Sequence, residues 1–287
     1  MQTAPSERWL DLDGLRIHYL VAGDIGSHVI LLHGGGFDSA SLTYRFSLGP
    51  LSRRHVVIAP DLPGYGQSDK PKIDYSMEYY LTFLGRFMDT LGLERASLVG
   101  LSIGGGVALG FTLRHPRRVE RLVLVDSYGL GSEAPWPLLP YLYVRVPGLA
   151  QMFSRLSMRS RLLIKWSLKA NAFGDPAAAT DDLVDELVRS VPSDAGRAFI
   201  SFQKSEVSRG GLRSSFVDRL SEIEVPTLLV HGEVDKLVPV AWARRAHQRI
   251  KGSRLEILPG AGHWSIREQP ARFNELLDSF LDEQVDQ

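Results

Sequence analysis

Short runs rich in Val, Ile and Leu recur along this chain with amphipathic helical stretches between them, and that alternation restricts the fold more than any other feature. Val29–Leu32, His55–Ala59, Ala96–Val99, Arg121–Val125, Thr227–Val230 and Arg254–Leu258 read as buried strands. The clearest helical periodicity lies in Ser76–Leu91, Val107–Arg114, Ala241–Ile250 and Ala271–Leu281. Strands separated by helices return in the same direction, so a mostly parallel sheet flanked by helices is expected. Ahead of them, Trp9–Leu12 and Leu15–Leu20 flank Asp13-Gly14, a two-residue turn that predicts an antiparallel hairpin at the sheet edge. The whole reads as an α/β fold with about eight strands.

The alternation stops between Gly129 and Arg219. That stretch carries helical patterns at Leu138–Tyr143, Met152–Leu168, Asp181–Ser190 and Gly196–Ser205 and no strand signal. We therefore expect a core formed by residues 1–130 and 220–287, interrupted by a helical cap at 131–219.

The 33 basic and 33 acidic residues cancel, which gives no reason to expect a nucleic-acid partner. With no cysteine and no HExxH spacing, thiolate metal sites and a cysteine nucleophile are excluded, and neither a metal nor an organic cofactor is expected. No apolar run approaches the roughly 20 residues of a membrane span, and the N-terminus lacks a signal pattern. The expectation is a cytoplasmic protein that acts on a small molecule.

Within Leu98-Val-Gly-Leu-Ser-Ile-Gly-Gly-Gly106, Ser102 follows a strand and precedes a helix, with Gly100 and Gly104 two residues to either side. A turn that sharp presents the serine hydroxyl at the carboxyl end of the sheet. After the strand ending at Leu32, His33-Gly-Gly-Gly36 can offer a backbone N–H to an oxyanion; Gly35 is the favoured donor, Gly36 the second choice, and Ile103 supplies the other amide. His33 is expected to shape this loop. A serine nucleophile also needs a base and an orienting acid further along the chain. His263 in Pro-Gly-Ala-Gly-His-Trp264 follows the last strand, and the acid is either Asp235, after Thr227–Val230, or Asp126, after Arg121–Val125. The remaining histidines at 18, 28, 55, 115 and 247 lie where solvated or capping roles are expected.

HGGG at 33, Asp61-Leu-Pro-Gly-Tyr-Gly-Gln-Ser-Asp69, GLSIG at 100, GEVDKLVP at 232 and GAGHW at 260 stand in the order of the α/β-hydrolase fold proteins, and the chain resembles that family over nearly its whole length. The resemblance implies Ser102 as nucleophile, Asp235 as acid, His263 as base, and DLPGYGQSD as a structural turn. A serine at 102 sets the chain apart from haloalkane dehalogenases and soluble epoxide hydrolases, which carry an aspartate there.

Among serine members, the pattern is similar to carboxylesterases and to the carbon–carbon hydrolases of meta-cleavage products. Those carbon–carbon hydrolases usually have Pro-Gly after the glycine run, an asparagine further on, another before the serine, and a cap arginine for the dienoate carboxylate. Phe37, Asp38, Tyr44, Leu101 and Leu187 occupy the corresponding places here, with Arg189 two residues beyond the last of them. A pocket without those polar groups suits a neutral ester. We expect a carboxylesterase for small or medium acyl esters, with carbon–carbon hydrolysis as the alternative and a ligand receptor as the alternative of another class. Phe37, Leu101 and Trp264 adjoin the reacting positions and are expected as pocket walls, joined by cap residues from Trp136, Leu139, Tyr143, Trp166, Phe199 and Phe202.

Overall fold

The computed structural model describes residues 5–133, 138–146, 148–152, 154, 160–190 and 196–283, the side chains of 138–140 excepted. In chain order the strands are β1 (Ser6–Leu12), β2 (Leu15–Ala22), β3 (His28–Leu32), β4 (Val56–Pro60), β5 (Ala96–Leu101), β6 (Val119–Val125), β7 (Val207–Ser208), β8 (Gly211–Leu212), β9 (Thr227–Gly232) and β10 (Arg254–Leu258). Eight of them form one sheet in the order β1-β2-β4-β3-β5-β6-β9-β10. β1 and β2 are the expected hairpin, with Asp13 and Gly14 both at positive φ in its turn. β2 is also antiparallel to β4, and every other pairing is parallel.

β5 is buried at every residue because helices cover both faces of the sheet. Its alternate side chains therefore enter different cores. Leu98 packs with Phe87, Val107 and Leu122 on one side, whereas Val99 packs with Leu31, Val230 and Leu277 on the other. Five parallel strands, β3, β4, β5, β6 and β9, end at a common edge. His33, Asp61, Ser102, Asp126 and Glu233 each follow directly on one of them, and that edge is where open α/β sheets gather their functional groups.

The helix after β5 runs Ile103–Arg114, four residues earlier than periodicity from Val107 suggests. Its glycine-rich first turn is poor helix sequence, but close packing requires it. A Cβ at Gly104 would overlap the carbonyls of Leu32 and His33, and one at Gly100 would overlap the Gly104 carbonyl. Two histidines also differ from expectation. His18 is buried, and its Nδ1 is 2.8 Å from Asp61 Oδ2; His55 is buried beneath the final helix with Asp282 3.6 Å away. The strand pairing of β2 turns His18 inward, which local sequence does not reveal.

Between β6 and β9 the described chain is mainly helical: Leu138–Arg145, Arg161–Ser167, a wider turn at Leu168–Ala172, Asp181–Ser190 and Gly196–Glu206. It also contains the antiparallel pair β7–β8, where no strand was expected. Two-residue strands are too short to show a period. This segment rests directly on the loop after β10. Trp264 N donates to Ala172 O at 2.8 Å, Phe173 stacks on Trp264 with ring centroids 5.9 Å apart, and Gly174 N donates to Glu268 Oε1 at 3.0 Å.

Candidate active site

Ser102 has φ 52° and ψ −116°, a left-handed conformation that costs a non-glycine residue about 1–3 kcal/mol. Backbone bonds hold it there: Ser102 N donates to Val125 O at 2.9 Å, while Ser102 O accepts from Gly106 N and Tyr128 N, each at 3.0 Å. The serine is thus fixed to β6 as well as to its own helix.

His263 Nε2 lies 3.0 Å from Ser102 Oγ, and its Nδ1 lies 2.8 Å from Asp235 Oδ2. A carboxylate only accepts, so Nδ1 carries the ring proton and Nε2 is left to accept from the serine. Asp235 is held in turn by the amides of Leu237 and Val238, both on Oδ1, at 2.8 and 2.9 Å. Burial opposes its ionisation, but hydrogen bonds from His231 and His263 outweigh that and hold its pKa well below the usual carboxylate range. Burial likewise opposes a charged His263; the hydrogen bond and charge of Asp235, aided by Asp126, outweigh it and raise the imidazole pKa above 6.5.

Asp126, the rival acid, faces elsewhere. Its Oδ1 accepts from Gly232 N at 2.7 Å and its Oδ2 from Ser265 Oγ at 2.5 Å, so it ties β6 to β9 and to the turn after His263. Complete burial, opposed by His231 but reinforced by Asp235, raises its pKa to about 6. His231 is a member of this group that motif reading alone passes over. Its Nε2 donates to Val238 O at 2.9 Å and sits 3.4 Å from Asp235 Oδ2.

The glycine loop divides its amides between two tasks. Gly34 N donates to Asp38 Oδ2 at 2.8 Å, and Asp38 is further bound by Thr43 Oγ1 and Ser39 N. Gly35 N has no acceptor among the described residues. Ile103 is the first residue of its helix, where an N–H has no carbonyl within the helix to reach. The two residues abut: a Cβ at Gly35 would come within 2.6 Å of Ile103 Cδ1 and 2.7 Å of the Phe199 ring. His33 is fully engaged, with Nδ1 donating to Gly34 O at 2.7 Å and Nε2 accepting from Leu62 N at 2.9 Å, so it shapes the loop and has no lone pair left for a substrate.

Ser102 and His263 open onto a cavity of about 480 Å³. Phe37, Leu101, Leu187 and Trp264 line it, as do Phe199 and Phe202. Two aromatic residues expected in the wall are elsewhere. Trp166 is 65% exposed on the Arg161–Ser167 helix, whose buried residue is Ile164, and Tyr143 is half-buried away from the cavity. A helical segment with apolar residues on several faces does not reveal which one turns inward. Trp136 and the Leu139 side chain lie outside the described residues. The cavity instead includes polar residues that motif reading does not anticipate, among them Ser167, Asn171, Gln203 and Glu206. Among the described lining residues none is lysine or arginine.

Comparison with known proteins identifies the fold family. A family model described as alpha/beta hydrolase fold matches residues 27–270. An uncharacterised protein of Mycobacterium tuberculosis is 31% identical, covering 97% of this chain and 82% of its own length. The 2-hydroxy-6-oxo-6-(2'-aminophenyl)hexa-2,4-dienoic acid hydrolase of Metapseudomonas resinovorans is 31% identical, covering 99% and 94% respectively. Among solved structures, a serine hydrolase involved in carbazole degradation superposes with a TM-score of 0.81 at 30% identity, covering 97% of this chain and 99% of that one.

Proposed function

This chain belongs to the alpha/beta hydrolase fold family, and on that premise we propose that it is a serine esterase cleaving carboxylic esters with small to medium acyl or aryl groups. The observation that carries the reading is the Ser102–His263–Asp235 chain of hydrogen bonds, at 3.0 and 2.8 Å, opening onto an apolar cavity. Residues 131–219 act as the cap over that cavity.

In this reading His263 Nε2 takes the Ser102 proton as Oγ attacks the ester carbonyl, and Asp235 stabilises the imidazolium. The amides of Gly35 and Ile103 receive the oxyanion, each worth roughly 3–4 kcal/mol of barrier lowering. Collapse expels the alcohol, which leaves with the proton from Nε2. Water then enters, loses a proton to His263, and releases the acid from the acyl-enzyme. No step calls on a metal or organic cofactor.

Carbon–carbon hydrolysis is the second reading, favoured by the named dienoate hydrolase among the relatives. Against it stand Leu187 and Leu101 in the cavity and the lack of a lysine or arginine among its described lining residues, which leaves a substrate carboxylate without a counter-charge. Turnover of p-nitrophenyl acetate and butyrate, beside a meta-cleavage dienoate, separates the two. Ester turnover that Ser102→Ala lowers by at least about 10³-fold is expected. A higher kcat/KM for the dienoate overturns the ester reading in favour of the second. If neither substrate is turned over and a fluorophosphonate leaves Ser102 unlabelled, the chain is a ligand-binding member of the family.

A further inference from the structure

The mechanism leaves one buried carboxylate in the cavity wall unused. Glu206 ends the Gly196–Glu206 helix, is only 4% exposed, and lines the same cavity as Ser102. Its Oε2 accepts from Tyr128 Oη at 2.9 Å and from Ser214 N at 3.0 Å. Its Oε1 has only Ser205 Oγ, at 3.5 Å, and that hydroxyl has a shorter path to Phe202 O at 2.8 Å. A hydroxyl has one proton to give, so Oε1 has no committed donor among the described residues. Nor does a lysine or arginine among them pair with Glu206. An acidic group kept in an apolar enclosure without a counter-ion is costly to the fold, which favours a ligand that supplies the missing charge.

Its position sets the ligand's length. Phe199, Phe202, Gln203 and Glu206 lie three, four and seven residues apart on one face of this helix, and all four line the cavity. Phe199 abuts Gly35 in the oxyanion loop, so Glu206 lies about 10 Å further along the helix at 1.5 Å per residue. Tyr128 connects the two ends: its N–H holds the Ser102 carbonyl and its hydroxyl holds Glu206. Tyr128 and Phe202, their ring centroids 5.8 Å apart, stand beside Glu206, and Trp242 also lines the cavity; aromatic surroundings of this kind favour a cationic nitrogen.

We infer that Glu206 makes the far end of the cavity a subsite for a cationic nitrogen, so that the preferred substrates are esters bearing an ammonium group about two helical turns from the reacting carbonyl. This rests on the ester reading above. The same carboxylate disfavours any substrate with an acidic terminus, the dienoates included.

The test compares kcat/KM for three p-nitrophenyl esters of matched length: 6-(trimethylammonio)hexanoate, its uncharged tert-butyl isostere, and the mono-ester of pimelic acid. The cationic ester is expected to exceed the isostere by at least tenfold, and the acidic ester to fall at least tenfold below it. Glu206→Gln keeps an acceptor for Tyr128 and Ser214 while removing the charge, and should bring the cation-to-isostere ratio close to one. Because both substrates meet one preparation, this ratio does not depend on the fraction of folded enzyme. A wild-type ratio of one or less, or a ratio that Glu206→Gln leaves unchanged, overturns the subsite while leaving the esterase intact; if that variant does not fold, the wild-type ratio alone decides. If wild type cleaves none of the esters, the ester reading falls. The subsite is then judged by thermal protection of wild type with hexyltrimethylammonium, hexanoate and hexan-1-ol, and it too is overturned unless the cation protects most.

Discussion

Asp126 and Asp235 are both buried near His263, yet their surroundings give them opposite characters. Asp235 is ionised and touches the imidazole, whereas Asp126 is held by an amide and a hydroxyl at a pKa of about 6. Asp235→Asn is expected to lower kcat on the order of 10⁴-fold in ester assays, because an amide mis-sets the imidazole tautomer. Asp126→Asn should cost far less, and the reverse ranking would move the acid to β6. The raised pKa of His263 adds a pH prediction. With His263 as the proposed base, activity needs the neutral ring, so the acidic limb of kcat/KM should have its midpoint above 6.5, and Asp235→Asn should move it lower. For stability, a carboxyl whose pKa rises from 3.8 to about 6 on folding contributes stability that is full below 3.8 and lost as pH rises through 6. Thermal unfolding should therefore show Asp126→Asn gaining on wild type between pH 4 and pH 7. Ser102 and His263 are legible in the sequence because glycines mark the turns that hold them. Glu206 was not: a glutamate near a helix end ordinarily reads as solvated, and only tertiary packing shows that it faces the cavity.

At the level of elements, the strands were readable because a strand covered on both faces must be apolar throughout, as β5 is. Helix starts were less so. Three successive glycines argue against a helix on propensity, and the helix from Ile103 forms because the elbow leaves no space for side chains at 100 and 104. That space can be tested. Gly104→Ala sets a Cβ against strand backbone that cannot yield and should cost at least about 3 kcal/mol, read as a lower denaturant midpoint at unchanged m-value. Gly35→Ala meets the movable side chains of Ile103 and Phe199, at 2.6 and 2.7 Å. It should lower kcat more than it lowers stability, since the loop that carries the amide has to shift. The Arg161–Ser167 helix illustrates the remaining limit: Leu162, Leu163 and Trp166 are exposed while Ile164 is buried, an order that composition does not disclose.

Across the whole molecule, the cavity's size bears on substrate choice under the proposed ester reading. Each further methylene that it covers is worth about 0.8 kcal/mol, roughly fourfold in kcat/KM. Rates on p-nitrophenyl esters should climb from acetate through butyrate to hexanoate and then fall by palmitate, because the extended palmitoyl chain is longer than a compact cavity of about 480 Å³ is wide. A profile that keeps climbing to palmitate would mean that the acyl chain lies outside this space. The contact between the helical segment and the loop after β10 also decides which parts of the chain can be exchanged between relatives. Trp264 N bonds Ala172 O, Phe173 stacks on Trp264, and a Cβ at Gly262 would press on the Phe173 carbonyl carbon at 2.6 Å. A chimaera that swaps only the chain between β6 and β9 would seat foreign backbone against the loop carrying His263. The transferable module is discontinuous, and recombination that respects function must carry residues 259–268 together with the helical segment they support.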